Sequence, residues 1–323
     1  MRTLHIANGH HLTSLIEQSG IGGDSSVWAD PLHDGPVPAG LTDPELRAAR
    51  ARFLAGEGAV EPVLADLEAW SAALDRRAAF DELVLWFEHD LFDQLNLLQV
   101  LTRIGDSTTT RTTLVSIDGW PGRTFFKGMG ELSPQDIATL YKRRQPVPSP
   151  ALDLAAAAWR GFRSPSPRDI EILLTGDTTA LPFLANALTR HLEEFPSTHD
   201  GLSRSERRLV ERLDHGPQDI RTLWPRMWEG ETAYYITDRS FWQLVQGLAT
   251  ASPALVTVER AREDDRVPPA GHAALTLKGR SVLEGTADRV HLCGIDTWRG
   301  GVHLKGRGRL WRWNPDTEQT VKA

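Results

Sequence analysis

One cysteine, Cys293, stands in a chain of 323 residues. A lone thiol excludes an internal disulfide and any zinc site built on several thiolates. Long apolar runs are missing as well. The opening stretch MRTLHIANGHHLTS has no run of signal-peptide length, and no later segment approaches the roughly 20 apolar residues of a membrane helix. The expectation is a cytoplasmic protein with no membrane partner. Neither the spaced glycines of a dinucleotide fingerprint nor an H-E-x-x-H metal spacing occurs.

Positive charge is scarce in the first part of the chain. Residues 1–132 hold 10 Lys/Arg against 19 Asp/Glu, a net of −9, whereas residues 201–323 hold 19 against 16, a net of +3. An acidic first part is a poor partner for nucleic acid unless a metal intervenes, while the last part permits one. The composition, 40% hydrophobic and 24% charged, is that of a globular chain, and the length calls for two domains with a connector.

Four short apolar segments read as strands: Thr3–Ala7, Ser25–Trp28, Leu83–Phe87 and Thr112–Ile117. Helical patterns join them. One runs from His11 to Gln18, two lie between Thr42 and Ala79 with a break near Gly56–Gly58, and one follows Asp90 with Leu91, Phe92, Leu95, Leu98 and Leu101 on its apolar face. Strands alternating with helices imply a small parallel, doubly wound sheet over 1–132. Residues 133–200 read as a helical connector, opened by Ser133-Pro134.

Residues 201–323 change character. Helices at Ser203–Leu213, Ile220–Trp224 and Asp238–Leu248 precede two strands, Leu255–Val258 and Ala274–Leu277, joined by a charged, Pro-containing loop. Three helices and a two-stranded wing is the winged-helix order. The fold class expected is therefore α/β: a small Rossmann-like parallel sheet domain (1–132), the helical connector (133–200) and a C-terminal winged-helix-like α+β domain (201–323) with a basic aromatic tail.

Polar residues gather where the strands end. Asn8-Gly9 follows the first strand and can hold an anion or cofactor on backbone N–H groups at a helix start; a plain turn is the alternative. The second strand runs into Asp30-Pro31-Leu32-His33-Asp34-Gly35-Pro36, a stiff loop that presents a carboxylate and an imidazole in one geometry. The third runs into Glu88-His89-Asp90. Asp90 and Asp93 fit a helix cap, which leaves Glu88 and His89 unexplained by structure alone. Asp118 ends the fourth strand. The candidate catalytic set is His33, Glu88, His89 and Asp30, with Asp90 and Asp118 as candidate ligands of a divalent metal. Downstream, Arg190 and Glu194 read as an ordinary surface i,i+4 pair, and Arg47, Arg50 and Arg52 as a solvated helix face.

Three strings together resemble a bacterial family: Leu4-His5-Ile6-Ala7-Asn8-Gly9, Asp30 through Pro38 (DPLHDGPVP), and Trp86 through Leu95 (WFEHDLFDQL). The family is called domain of unknown function eighteen thirty-five. Arg190-His191-Leu192-Glu193-Glu194-Phe195-Pro196-Ser197, Gly201-Leu202-Ser203-Arg204-Ser205-Glu206 and Trp298-Arg299-Gly300-Gly301-Val302-His303-Leu304 are similar to its longer members, so the resemblance covers most of the chain. His10 departs from it, since an acid is expected there. The resemblance implies the architecture and brings no activity with it.

Two functions are open. The strand-end residues fit an enzyme performing acid–base or metal-assisted hydrolysis or group transfer on a small polar or phosphorylated substrate, with His33 or His89 as base and Asp30 or Glu88 orienting it or sharing the metal. The alternative is a ligand-sensing regulator whose winged helix binds DNA or a transcription partner. Arg239 and Gln243 on the third helix, and Arg307 and Arg309 in the tail, would then face nucleic acid.

Overall fold

The computed structural model describes residues 1–105, 110–260 and 266–323, which group into two units: Met1–Leu188 with Gly300–Val302, and Thr189–Arg299 with His303–Ala323. The charged wing-tip residues 261–265 lie outside the described part.

The first unit is built on a five-stranded sheet. Strands β1 (Thr3–Ala7), β2 (Asp24–Val27), β3 (Glu82–Trp86) and β4 (Arg111–Val115) run parallel, and β5 (Gln145–Pro146) is antiparallel, in the order β2-β1-β3-β4-β5. Every residue of β1 and β3 is buried, as the apolar runs require of strands with neighbours on both sides. Ala7 is level with Trp86, so the residues after them, Asn8 and Phe87, leave the sheet side by side.

The helices are α1 (His10–Gln18), α2 (Asp43–Ala55), α3 (Val60–Asp75), α4 (Leu91–Ile104), α5 (Pro134–Lys142), α6 (Ser149–Arg163) and α7 (Arg168–Leu174); α8 (Leu184–Leu192) carries the chain into the second unit. The step from β1 to β2 and the step from β3 to β4 go in opposite directions along the sheet. With right-handed crossovers this puts α1 and α4 on opposite faces and makes the β1/β3 junction the switch point, where open α/β sheets bind ligands. Leu12, Leu15 and Ile16 of α1 pack with Val84, Trp86, Val115 and Leu140 on one face.

Two details depart from the sequence reading. The strand expected to reach Ile117 ends at Val115, and the expected all-helical stretch 133–200 contains β5. Pro146 and Pro148 lack the N–H that a longer ladder needs, which confines β5 to two edge residues.

The second unit contains α9 (Arg204–Leu213), β6 (Gln218–Asp219), α10 (Ile220–Arg226), α11 (Asp238–Ala249), β7 (Val256–Arg260) and β8 (Gly271–Leu275), with β6, β8 and β7 in one antiparallel sheet. This is the winged-helix order with an added short strand between the first two helices. Leu277 opens α12 (Leu277–Leu283) rather than extending the strand, because the Thr276 hydroxyl caps that helix by accepting from Gly279 N–H at 2.9 Å. After α13 (Arg289–Cys293), β9 (Ile295–Arg299) pairs with β10 (Val302–Gly306), and β11 (Trp311–Asn314) with β12 (Gln319–Lys322). Arg307 and Arg309 lie between these two ribbons. Among the described residues no helix is long and apolar enough to cross a membrane.

Candidate functional site

Strand β3 delivers Glu88 and His89 to the rim of the sheet and α4 begins two residues later. Asp90 is its N-cap: the side chain accepts from Asp93 N–H at 2.9 Å. Asp93, in the first turn, reaches back beyond the cap and accepts from Glu88 N–H at 2.5 Å. The Asn8 amide, at the end of β1, donates to both Asp93 oxygens at 3.0 and 2.9 Å. Because a carboxylate only accepts, the nitrogen of the amide must face Asp93. The switch point is therefore tied across by an Asn–Asp contact between the ends of two adjacent parallel strands.

Glu88 lies beneath this junction and is 4% exposed. Met129 N–H donates to its Oε1, and Gln94 Nε2 donates to its carbonyl at 2.5 Å. Gly128 lies directly over the carboxyl group, so close that a Cβ there would overlap Glu88 Oε2. The backbone of Gly128 is extended, and the demand for glycine comes from this approach alone.

Three acids, Glu88, Asp90 and Asp93, are thus buried together, and among the described residues no Lys or Arg is hydrogen-bonded to any of them. Burial first, then the Asp93 and Asp90 carboxylates, push the Glu88 carboxyl well above its ordinary range, against the stabilising Met129 N–H and Asn8 amide. Burial and Asp90 likewise push Asp93 well up. Burial also raises Asp90, which is held back by the Asp93 N–H and by the nearby His89 and His33 imidazoles. Like charges in a low dielectric resist ionising together, which is the physical reason these carboxyls are pushed upward.

The same balance places both candidate imidazoles within electrostatic reach of Asp90. His89 Nδ1 is 3.2 Å from the Ile117 carbonyl, which can only accept; the proton is assigned to Nδ1 and the ring lone pair to Nε2. Phe126 stacks on the ring at 6.4 Å and Phe183 meets it edge-on at 6.1 Å. His33 is buried, edge-on to Phe92 at 6.0 Å, with Nε2 3.3 Å from Asp34 Oδ2.

Sequence reasoning pairs His33 with Asp30; the carboxylate beside the imidazole belongs to Asp34. Asp30 is held by Arg50, whose Nη2 lies 2.6 Å from Oδ1 and whose Nε lies 3.0 Å from both oxygens. Arg50 also donates to the carbonyls of Pro31 and Asp34, and Asn96 bonds the Asp30 backbone in both directions. Asp30 thus anchors the loop that carries His33. Arg50, expected on a solvated face, is fully buried.

Gly9 caps α1 without a side-chain bond and lies beside Asn8 at the rim. Asp118 is exposed, three residues past the end of β4. Among the described residues no group of three or more His, Cys, Asp and Glu is placed to hold a metal ion. Asp90 serves as the N-cap of α4, and Asp118 faces solvent.

In the second unit, Arg239 and Gln243 are exposed one turn apart on α11, and Arg307 and Arg309 are exposed, the latter donating to the Lys322 carbonyl at 3.0 Å. The Arg190–Glu194 pair is present at 2.6 Å but buried, with Arg190 also bound to Glu231 at 3.2 Å and to Ser205 at 3.0 Å.

Sequence reasoning left out Asp93 as an acid of the site, Asn8 as its donor, Arg50 as the loop anchor and Gly128 as the lid over Glu88. Asn8 and Asp93 were legible as polar residues at a strand end and a helix start; nothing in the sequence around Gly128 signalled its contact. The molecule defined by this fold and site is a two-unit α/β protein with a carboxylate cluster at the sheet switch point. No family model matches the chain, and no curated protein matches it.

Proposed function

We propose that the chain is an enzyme performing acid–base hydrolysis or group transfer on a small polar or phosphorylated substrate at the β1/β3 switch point. The observation that carries this reading is the convergence of Asn8 with Glu88, Asp90 and Asp93 in one buried cluster whose carboxyls are pushed upward. Pairs of groups with protonation driven apart are how one site runs acid and base chemistry together. In this reading the Glu88–Asp93 pair is the proton store and general acid, and His89 is the general base, its tautomer set by the Ile117 carbonyl. His33, with Asp34, sets the charge of Asp90 from the other loop.

The test is depletion of compounds from a defined mixture of small phosphorylated and carboxylated metabolites, followed by mass spectrometry. Wild type should consume at least one compound, and Glu88→Gln and His89→Asn, folded to the same extent, should slow that consumption at least ~100-fold, the low end for a lost acid or base. Equal depletion by all three proteins, or none by wild type, contradicts the reading.

A second reading rests on the winged-helix order of the second unit, in which α11 occupies the position of the groove-entering helix and exposes Arg239 and Gln243. It predicts duplex DNA binding that weakens with salt and weakens further when Arg239 or the Arg307/Arg309 pair is neutralised. Binding indifferent to salt and to those changes speaks against it.

A further inference from the structure

Strand β5 pairs with β4 at Thr113 and Leu114, and Val147 N–H just after it donates to the Thr112 carbonyl. Among the described residues no strand pairs with the outer edge of β4 beyond Leu114, and a pocket of about 160 Å³ opens there, lined by Ser116, Ile117, Trp120, Leu140, Arg143 and Gln145 among others. Its size bears on what fits: an engineered cavity of roughly 150 Å³ takes benzene, so this open pocket has room for a six-membered ring.

Its chemistry narrows the choice. Arg143 is the one ionisable side chain among the lining residues. It forms no ion pair among the described residues, and its guanidinium lies 6.0 Å from the centre of the Trp120 ring. Trp120 is half-buried, packed on the core beside α5. A half-buried indole, hydrogen-bonded to the Asp136 carboxylate, next to a guanidinium with no ion pair among the described residues suits a flat ring that bears negative charge, since the ring covers the indole while Arg meets the anion in a fork. Position ties the pocket to the chemistry. Ile117 lines it, and the Ile117 carbonyl is the group that orients His89.

We infer that this pocket holds the ring of the substrate, and that the substrate is a small six-membered-ring compound carrying a carboxylate or phosphate, bound by Trp120 and Arg143. This rests on the acid–base reading above and names the substrate class of that site.

The experiment uses the full chain with simple probes: benzoate and phenyl phosphate as ring anions, benzyl alcohol as a ring without charge, and acetate as a charge without a ring. Binding is followed by NMR on the Trp120 indole N–H and the His89 ring. Saturable binding of benzoate or phenyl phosphate is expected, at least tenfold tighter than that of benzyl alcohol or acetate, with both resonances moving together. The stronger of the two ring anions tells carboxylate from phosphate.

Arg143 is exposed, so Arg143→Ala should fold as wild type. It should weaken the ring anions at least tenfold and leave benzyl alcohol unchanged, while Arg143→Lys should recover part of the loss. No saturable binding of either ring anion, or binding that Arg143→Ala leaves intact, overturns the inference. Glu88→Gln separates the two claims, because it should keep the probe affinity. If the probes bind as described while wild type depletes no compound, the acid–base reading fails and the pocket stands; if depletion depends on Glu88 while the probes fail to bind, the pocket assignment alone falls.

Discussion

Arg50 grips Asp30 with three short contacts, Nη2 to Oδ1 at 2.6 Å and Nε to each oxygen at 3.0 Å, and neither side chain meets solvent. Two buried opposite charges gain little over a well-packed apolar pair, but removing one of them leaves the other uncompensated. Arg50→Met should therefore lower unfolding stability by about 3–5 kcal/mol in urea denaturation, whereas Asp30→Asn with Arg50→Met should recover a good part of that loss. Equal losses in the single and double variants would mean that the pair is not what anchors the His33 loop.

Gly128 and Glu88 offer a second test. A methyl at Gly128 overlaps the Glu88 carboxyl, so Gly128→Ala forces the turn or the acid to move. Overpacking of this kind costs about 1–3 kcal/mol. Shortening the acid makes room, and a double-mutant cycle with Glu88→Ala should give a coupling of at least ~0.5 kcal/mol. Additive losses would place the strain elsewhere.

Acid stability should carry the signature of Glu194. Burial alone would raise this carboxyl, but Arg190 and Arg299 beside it hold it down to about 2, from an ordinary 4.5. A depressed carboxyl adds stability that is fully present above pH 4.5 and is lost as pH falls toward 2. A shift of that size corresponds to on the order of 3 kcal/mol. In acid unfolding, Glu194→Gln should lie below wild type at neutral pH and converge with it near the bottom of the range.

His5 works in a second pH window. Trp86 Nε1 donates to its Nδ1 at 3.1 Å and its Nε2 lies 2.9 Å from the Gly22 carbonyl, which fixes a neutral ring in the core. Burial lowers its pKa from 6.5. The unfolded chain then binds the extra proton, so this stability is complete above pH 6.5 and declines as pH falls below it. Replacing His5 by Gln should remove the slope just below that pH; an unchanged slope assigns it to another histidine.

The sheet was legible because apolar strands and the cap residues of α1 and α4 obey local rules, and local rules are written in neighbouring residues. Asp90 as N-cap is of that kind, since the signal is a short acid before an apolar period. Glu88 and His89 stood out because no local rule called for them. The partners came from distances that sequence does not encode. Arg50 is 20 residues from Asp30, and Met129 is 41 from Glu88. A helical arginine looks solvent-facing until a buried carboxylate is found opposite it. The buried Arg190–Glu194 pair was misplaced on the surface for the same reason: the i,i+4 spacing is identical in both settings, and only the surrounding Glu231, Ser205 and Tyr234 remove the water.

The central claim is that the acids at the switch point hold a proton where ordinary carboxylates have lost it, and isotope-labelled Glu and Asp carboxyl carbons followed by NMR against pH test it most directly. The account predicts that Glu88 titrates well above 4.5 and Asp93 well above its ordinary range, and that Glu88→Gln removes the first titration and leaves the second. Since the folded state then binds more protons than the unfolded one, stability should fall as pH rises through the Glu88 midpoint, and Glu88→Gln should flatten the fall. If the carboxyls of Glu88, Asp90 and Asp93 all titrate in the ordinary range, the cluster stores no proton and the acid–base reading is contradicted.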